Sequence, residues 1–250
     1  MYGGSFLSGY TKFHPVMGHL SVMTGLALAA AVVLMEVGSG RVLRQEGDVL
    51  LRVAPGSTIK PFVLQAVASP PERICGRTLR LSGRRMDCMH PRFAAPLSAR
   101  EAVAYSCNFY FAHLVQPVDA GKLSEVLRGF GFLLARNPVS LEDLQLLALG
   151  EFGVTATPMD LARAYAKLAP LGVPGLREAV EAGTAQLAVV DNLAVAGKTG
   201  TTRGHSWFAG YAPADKPRVV VVVLTKEGTG GGSAAPEAAK VLKRWFSKQH

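Results

Sequence analysis

The sequence predicts a mixed α/β (α+β) fold, with one antiparallel sheet built from both ends of the chain and a helical lobe formed by its middle. Two observations carry this prediction. Strand patterns occupy residues 31–45 and the region after residue 193, and helix-start signals follow one another between them. Strands and helices that are segregated along a chain are typical of α+β proteins. With 250 residues, of which 49% are hydrophobic, the chain can bury the core of one large domain or of two small ones.

The strands are predicted from short apolar runs that are bounded by turn residues. Residues 31–45 give two strands around the turn Gly38-Ser39-Gly40. Three more strands are expected at 194–200, 206–211 and 218–225, the last of them rich in valine. The first and last groups are expected to join in one sheet.

Most helices are predicted from capping residues. The expected starts are at Ser57, Ser98, Ser140 and Thr157, with a last helix over 234–246. Glu101 completes a capping box with Ser98. Pro158 takes the first helical position after Thr157, where its missing N–H costs nothing, and that helix is expected to stop at Pro170.

Three short motifs follow one another along the chain and together offer the chemistry of acyl transfer. They are Ser57-Thr58-Ile59-Lys60, Ser106-Cys107-Asn108 and Lys198-Thr199-Gly200. Each motif alone is a weak signal, but the three in this order are much less frequent by chance. Together they supply a serine nucleophile, a lysine base and a second serine–lysine set that can pass protons and hold a carboxylate.

The first motif has the spacing that an activated serine needs. Ser57 and Lys60 are expected one turn apart on one face of a helix. Ser57 also stands at the helix N-terminus, where free N–H groups and the helix dipole favour a developing oxyanion. Lys60 can serve as the base only if its pKa falls well below the ordinary value of about 10.4. Burial and the nearby charge of Lys198 are expected to lower that pKa.

The motifs and their flanking residues resemble the transpeptidase domain of penicillin-binding proteins, from about residue 30 to the C-terminus. The matching stretches are 54–62, 105–111, 154–162, 196–202 and 207–211. The resemblance implies a β-lactamase/transpeptidase-like fold, in which a five-stranded antiparallel sheet is flanked by helices. It also implies that the active site lies in the groove between the sheet and the helical lobe.

The resemblance assigns roles to individual residues. It implies catalytic roles for Ser57, Lys60, Ser106 and Lys198, and substrate-binding roles for Asn108, Thr199, Gly200 and Thr201. Ser106 would relay a proton between the base and the leaving amine, and Asn108 would hydrogen-bond the substrate peptide. The strand from Lys198 would bind the terminal carboxylate of D-Ala-D-Ala, and its glycine would let an extended substrate lie close. The backbone N–H groups of Ser57 and Thr201 would form the oxyanion hole.

The leading functional hypothesis is a serine D,D-transpeptidase or D,D-carboxypeptidase that acts on peptidoglycan stem peptides through an acyl-enzyme on Ser57, with no cofactor.

The alternative enzyme is a serine β-lactamase of class D-like size, because 49 residues separate the first two motif serines and 92 separate the second from the motif lysine. Class D enzymes usually carry Val in place of Asn108, however, and the class A Glu-x-x-Leu-Asn pattern is not found. Glu142 and Glu151 are the nearest acids, and each is interpreted as a solvated helix residue. A third hypothesis is a non-catalytic β-lactam sensor or cell-wall complex partner. The intact set of motif residues argues against this hypothesis.

A single transpeptidase-like domain is expected over residues 31–250. Its sheet is assigned to residues 31–50 and 194–250 and its helical lobe to residues 57–190. Residues 1–30 are interpreted as a secretory leader, with Ala27-Leu28-Ala29 as the cleavage site, or as an N-terminal helix that anchors the protein or belongs to the fold. The leader implies export, to the periplasm or to the outer face of the cytoplasmic membrane.

Cysteine usage agrees with export. Cys75 and Cys88 flank a predicted hairpin around Ser82-Gly83, an arrangement that suits a disulfide closing a loop of 14 residues. The alternatives are free thiols, or a zinc site formed by the same two cysteines with His90 and Cys107. No Cys-x-x-Cys spacing supports zinc, so no metal is predicted, and Cys107 is expected to be a small buried residue.

The formal net charge is +9, and much of it lies in one arginine-rich stretch: Arg73, Arg77, Arg80, Arg84, Arg85 and Arg92. The charge indicates a basic surface or an affinity for an anionic envelope polymer or lipid surface. No nucleic-acid-binding motif accompanies it, so nucleic acid is not a predicted partner. The predicted partners are the D-Ala-D-Ala stem peptide and β-lactams, and association with a membrane or a cell-wall protein complex is left open.

Overall fold

A five-stranded sheet forms the centre of the molecule. The computed structural model describes residues 29–151 and 153–249, so the leader or helix expected over residues 1–30 falls almost entirely outside the described residues. Within those ranges the strands are β1 (Ala29–Glu36), β2 (Val42–Gly47), β3 (Arg80–Leu81), β4 (Arg84–Arg85), β5 (Leu133–Leu134), β6 (Val154–Thr155), β7 (Ala196–Thr202), β8 (His205–Ala212) and β9 (Val219–Lys226). The α-helices are α1 (Lys60–Val63), α2 (Ala99–Ala104), α3 (Asn108–Leu114), α4 (Ala120–Phe130), α5 (Leu141–Ala148), α6 (Pro158–Leu168), α7 (Leu176–Glu181) and α8 (Ala235–Phe246). Turns of 3₁₀-helix lie at Gly56–Ile59, Leu64–Ala66, Ala169–Leu171 and Gln186–Ala188, with a π-helical turn at Gly230–Ala234.

The sheet joins the two ends of the chain, as the strand patterns predict. Its order is β2-β1-β9-β8-β7, and neighbouring strands are antiparallel. The first hairpin pairs with the last strand, so that Ala31 faces Leu224 and Glu36 faces Val219. The α+β prediction is therefore confirmed. The order also leaves β7, which carries Lys198-Thr199-Gly200, at an edge of the sheet.

Both faces of the sheet are covered at its centre, which explains why β9 is an unbroken apolar run. On one face Val33 and Met35 of β1 join the core against which α6 packs. On the other face Val32 and Leu34 join the core under α8. Successive side chains of a strand point to opposite faces, so a strand that is covered on both sides needs an apolar residue at every position. Val219–Leu224 meets this need, and its residues are at most 2% exposed.

The capping signals act as predicted in α2 and α6. Capping boxes with both hydrogen bonds formed start α2, through Ser98 and Glu101, and α6, through Thr157 and Asp160. α6 ends two residues before Pro170, which lies in the 3₁₀ turn that follows. Across the described ranges, no helix is long and apolar enough to cross a membrane.

Three helices of the described lobe, α3, α4 and α7, have no counterpart in the sequence-based prediction. α4 does carry signals, because Asp119 caps its start and Gly131, with a φ of 102°, ends it. α3 is capped by sulfur instead of oxygen: Tyr110 N donates to Cys107 Sγ over 3.3 Å. α7 begins after Gly175 without a side-chain cap. The last two starts therefore lack the residues on which sequence-based prediction of a helix start relies.

Two hydrogen bonds and an aromatic cluster hold the turn that carries the first motif. Trp207 Nε1 of β8 donates to Ala54 O over 2.9 Å, and the Tyr165 hydroxyl of α6 donates to Thr58 O over 3.0 Å. Phe62 of α1 packs edge to face on three rings: Phe130, Phe132 and Tyr165. The turn is thereby fixed to the sheet on one side and to the lobe on the other.

We predict that Tyr165→Phe destabilises the protein, because the buried carbonyl of Thr58 loses its donor. A buried polar group without a partner costs about 1–3 kcal/mol, which urea unfolding measures as a lower free energy of unfolding. Tyr211→Phe is the control, since Tyr211 is also buried and its hydroxyl makes no hydrogen bond with the described residues. Equal losses in the two variants would show that the bond to Thr58 contributes nothing.

Candidate active site

The first motif combines a partly exposed serine with a buried lysine. Ser57 is the second residue of the 3₁₀ turn Gly56–Ile59 and is partly exposed. Lys60, the first residue of α1, is fully buried. Gly56 starts the turn with a φ of +52°, and its N–H donates to Gly150 O over 3.2 Å. Ser57 and Lys60 are therefore one turn apart, as their spacing predicts.

The ammonium group of Lys60 is satisfied by the second motif. Its Nζ donates to Asn108 Oδ1 over 2.6 Å, to Ser106 O over 2.9 Å and to Ser106 Oγ over 3.2 Å. A protonated lysine has three donors, so these three acceptors complete it. A hydroxyl group both donates and accepts, so the contact between Lys60 and Ser106 Oγ can reverse its direction. A proton can therefore pass along this contact.

Burial controls the protonation of the two motif lysines. It lowers the pKa of Lys60 to about 8, while the neighbouring Cys107, Cys88 and Glu151 act to raise it. Burial and then the charge of Lys60 lower the pKa of Lys198 well below its ordinary value. The sequence-based expectation had Lys198 acting on Lys60. In the structure the repulsion acts on Lys198, and burial alone lowers the pKa of Lys60.

Ser106 is held in a left-handed backbone conformation between α2 and α3. Its φ is 57°, in a region that serine seldom adopts. Two backbone bonds fix the turn: Ser106 N donates to Val103 O over 3.2 Å, and Cys107 N donates to Ala102 O over 2.9 Å. Conformations of this kind persist where the surroundings over-determine them, and they cluster at functional sites. This turn lets both oxygens of Ser106 accept from the lysine of the first motif.

Asn108 bridges the lysine and the hairpin. Its Oδ1 accepts from Lys60, and its Nδ2 donates to Met86 O over 3.0 Å. The resemblance assigns this side chain to the substrate peptide. That role stays a prediction, and it would use the second N–H or the second lone pair of the amide.

The strand that carries the third motif exposes Thr201 and buries Thr199. Lys198 Nζ donates to Thr199 O over 3.1 Å. The Thr199 side chain is buried and donates to Thr184 Oγ1 over 2.8 Å. Thr201 is exposed, and its Oγ1 accepts from Gly230 N over 3.1 Å. Thr201 is therefore the threonine better placed to meet a ligand.

The glycine of the third motif has a packing reason that the sequence does not show. A Cβ atom at Gly200 would lie 2.7 Å from Pro55 O and 3.0 Å from Thr58 Cγ2. Glycine is thus required so that the turn bearing Ser57 can pack against β7. The expected role in the close approach of a substrate stays a prediction.

The three motifs meet at a cleft of about 730 Å³. The predicted site residues that line it are Ser57, Ser106, Asn108, Thr199, Gly200 and Thr201. Lys60 and Lys198 are fully buried and lie behind this lining. The sequence analysis missed further lining residues, because no motif marks them: Tyr105, Thr184, Gln186, Thr229 and Gly231.

The two acids that were interpreted as solvated helix residues both hold the β3–β4 hairpin. Glu151 forms an ion pair with Arg84 at 3.1 Å, and its side chain is 16% exposed. Glu142 accepts a hydrogen bond from Ser82 N at the hairpin turn. Glu142 is an exposed residue of α5, as interpreted, whereas Glu151 lies outside a helix and is largely covered, so the interpretation is corrected for Glu151. Both carboxylates tie the hairpin to the segment around α5.

All three cysteines are free thiols, so the predicted Cys75–Cys88 disulfide is not formed in the structure. The hairpin between them does form, with Arg80 opposite Arg85. Cys107 is buried, as expected, but its Sγ lies 3.4 Å from Cys75 Sγ and 3.6 Å from Cys88 Sγ. Of the alternatives given for the cysteines, the zinc site is the one that places Cys107 beside the two hairpin cysteines.

Comparisons with known proteins show which family this chain resembles. The family model described as the penicillin binding protein transpeptidase domain matches residues 30–174 and 173–243. The peptidoglycan D,D-transpeptidase MrdA of Haemophilus influenzae is 23% identical over 291 aligned positions, which cover 78% of this chain and 44% of that protein. The peptidoglycan D,D-transpeptidase PbpA of Mycobacterium tuberculosis is 26% identical over 213 positions, which cover 59% of this chain and 43% of that protein. The chain thus spans less than half the length of these relatives.

Solved structures share the fold. Penicillin-binding protein A from M. tuberculosis, in its imipenem acyl-enzyme complex, has a TM-score of 0.72 and 21% identity, over 87% of this chain and 75% of that one. The transpeptidase domain of the FtsI4 D,D-transpeptidase from Legionella pneumophila has a TM-score of 0.67 and 25% identity, over 88% of this chain and 91% of that one. The sheet and the helical lobe therefore have counterparts in transpeptidase domains.

We predict that Gly200→Ala destabilises the protein by about 1–3 kcal/mol, the range for overpacking. The added methyl group would displace the turn that bears Ser57, and urea unfolding measures the loss. Gly129→Ala is the matched control, because a Cβ atom at Gly129 in α4 meets nothing within 4 Å. Alanine is the better helix former by about 1 kcal/mol, so this control should be at least as stable as wild type. Wild-type stability in Gly200→Ala would contradict the packing explanation.

Proposed function

Because the chain belongs to the penicillin-binding protein transpeptidase family, we propose that it is a serine D,D-transpeptidase that acts on peptidoglycan stem peptides through an acyl-enzyme on Ser57. The observation that carries the proposal is the hydrogen-bonded link from buried Lys60 to Ser106 and Asn108, at the cleft that Ser57 lines. A D,D-carboxypeptidase would share the acylation step and use water as the acceptor.

Acylation needs a base, an oxyanion site and an acid. The neutral amine of Lys60 takes the proton of the Ser57 hydroxyl as Oγ attacks the carbonyl carbon of the penultimate D-Ala. The backbone N–H groups of Ser57 and Thr201 hold the oxyanion that forms. When the C–N bond breaks, the departing amine of the last D-Ala takes a proton from Ser106, which regains one from Lys60 over the 3.2 Å contact. The lysine returns to its neutral form, and an incoming amine then resolves the acyl-enzyme by the reverse path.

The terminal carboxylate of the substrate is assigned to the β7 edge. Thr201 offers an exposed hydroxyl, and buried Lys198 lies in the same strand. The pKa of Lys198 is lowered by burial and by Lys60, so an arriving carboxylate favours the protonated form of Lys198. Binding of the carboxylate and protonation of Lys198 are thus coupled.

The place of action follows from the substrate. Peptidoglycan lies outside the cytoplasm, so we assign the domain to the exported side, in the periplasm or at the outer face of the cytoplasmic membrane. The relatives' names refer to peptidoglycan D,D-transpeptidases, which supports this assignment. The net charge of +9 favours attraction to anionic envelope polymers.

We predict that Ser57→Ala abolishes covalent labelling by a penicillin and leaves the fold intact, because the nucleophile is lost and the partly exposed side chain supports little packing. Intact-protein mass after mixing with the drug measures the adduct. Ser247→Ala, an exposed serine near the C-terminus, is the control and should label like wild type. A Ser57→Ala protein that still carries the adduct would exclude Ser57 as the nucleophile.

The time course of the same adduct separates the enzyme classes. A transpeptidase keeps the penicilloyl group on Ser57 for many turnover times, because its deacylation by water is slow. Rapid loss of the adduct with accumulation of hydrolysed drug would instead identify a β-lactamase. The absence of any adduct in folded wild-type protein would favour the non-catalytic hypothesis.

We predict that the acylation rate constant rises by about tenfold between pH 7 and pH 9. The base must be neutral, and with a pKa of about 8 for Lys60 its neutral fraction grows over this window as pH rises. Stopped-flow acylation with a chromogenic cephalosporin measures the rate. Lys216→Met, at an exposed position, should leave the profile unchanged. A flat profile between pH 7 and pH 9 would remove Lys60 from the role of base.

A further inference from the structure

We propose that Cys75, Cys88, His90 and Cys107 bind one Zn²⁺ ion, a site that the acyl-transfer scheme does not use. One ligand atom from each of these residues lies within 4.8 Å of all the others. Three thiols and one imidazole form a common donor set of structural zinc sites. Sequence spacing argued against this group because it lacks a Cys-x-x-Cys pair, but the fold brings its members together.

The sulfur separations suit a tetrahedral metal site. Zinc–sulfur bonds of about 2.3 Å place the sulfurs of a tetrahedral site about 3.8 Å apart. Cys107 Sγ lies 3.4 Å from Cys75 Sγ and 3.6 Å from Cys88 Sγ, close to that edge length. A disulfide needs about 2.05 Å between sulfurs and would leave the third thiol unpaired. Cys107 contacts both other thiols, so an ion shared by all three fits this cluster better than a bond between two.

His90 is prepared as a ligand. Its Nδ1 lies 2.7 Å from Pro91 O, a contact in which the ring N–H donates to the carbonyl. The proton on Nδ1 leaves Nε2 as the unprotonated nitrogen. His90 is 7% exposed, and its Nε2 is buried without a hydrogen-bond partner. A buried polar atom without a partner is rare, and a bound zinc ion would satisfy it.

The surroundings of the four ligands match those of a metal–thiolate centre. Each sulfur accepts a backbone N–H over 3.3 Å, the donors being Arg77 N to Cys75, Phe109 N to Cys88 and Tyr110 N to Cys107. The Arg77 guanidinium also donates to the carbonyls of Cys88 and His90, over 3.2 and 2.7 Å. Such outer contacts orient the ligands, and the guanidinium offsets the net negative charge of three thiolates on one Zn²⁺.

The ion would hold the second motif in place. Cys107 lies between Ser106 and Asn108, and both of these accept from Lys60. Cys88 and His90 line the same cleft as Ser106. The metal would therefore clamp the hairpin segment to the turn in which Ser106 has its left-handed backbone. Its role is positioning, because none of its ligands has a part in the acyl-transfer steps.

Metal content tests the site independently of activity. The full chain, purified without chelator, is expected to hold one zinc per molecule by elemental analysis. After chelation in the presence of a reductant, titration with Co²⁺ should give the strong visible absorption of a tetrahedral cobalt–thiolate centre at one equivalent. Zinc should also protect all three cysteines from alkylation. A chain that takes up no metal would overturn the proposal. A zinc-free native chain with a mass two hydrogens below that of the reduced chain, which indicates a disulfide, would also overturn it.

Variants locate the ligands. Cys75→Ser and His90→Gln should each weaken zinc binding by about tenfold or more in competition with a chromogenic chelator. His205→Gln is the matched control, since His205 lies at the start of β8 and outside the cluster. If the ligand variants fail to fold, the cobalt titration of the wild-type chain still decides the proposal. Unchanged zinc affinity in folded Cys75→Ser and His90→Gln would refute it.

The positioning role has its own measurement. Chelation of the wild-type chain should slow acylation by a penicillin and shift the pH at which the rate is half-maximal, because Lys60 loses fixed acceptors. Zinc should restore both values, and magnesium should restore neither. An inactive protein that binds zinc would refute the proposed function alone, whereas an active protein that binds no zinc would refute this inference alone.

Discussion

The buried ammonium group of Lys60 is the interaction on which the rest of the site depends. A charge in the protein interior is costly unless acceptors surround it. All three acceptors come from Ser106 and Asn108, which lie 46 and 48 positions further along the chain. The pairing exists only when α1 and the turn between α2 and α3 are packed together. The site is therefore complete only in the folded core.

The same burial makes Lys60 useful as a base. A solvated lysine would keep a pKa near 10.4 and would be almost fully protonated at neutral pH. Burial lowers the pKa of Lys60 to about 8. Burial also lowers the pKa of Lys198, and the charge of Lys60 lowers that pKa as well. The mechanism proposed above therefore gives the two buried lysines different roles. In that mechanism Lys60 shares protons with Ser106, and Lys198 responds to the carboxylate that binds at the β7 edge.

The second motif is the point at which three parts of the molecule meet. Ser106 connects to α1 through Lys60, and Asn108 connects to the hairpin segment through the carbonyl of Met86. Cys107 faces the other way, toward the sulfurs of Cys75 and Cys88. The arginine-rich hairpin, which the sequence presents as a separate basic feature, therefore supports the active site. Its arginines are partly engaged as well, since Arg84 pairs with Glu151.

Several local features could be predicted from neighbouring residues. These features are the hairpin around Gly38-Ser39-Gly40, the helix starts at Ser98 and Thr157, and the order of the three motifs. The helix that Cys107 caps was not predicted, because a sulfur cap has no established sequence signal. Two further features depend on the folded core: Gly200 is needed for the packing of the Ser57 turn, and three cysteines converge with one histidine. These are distances between residues far apart in the chain, and spacing along a chain does not fix distance in space until the core has formed.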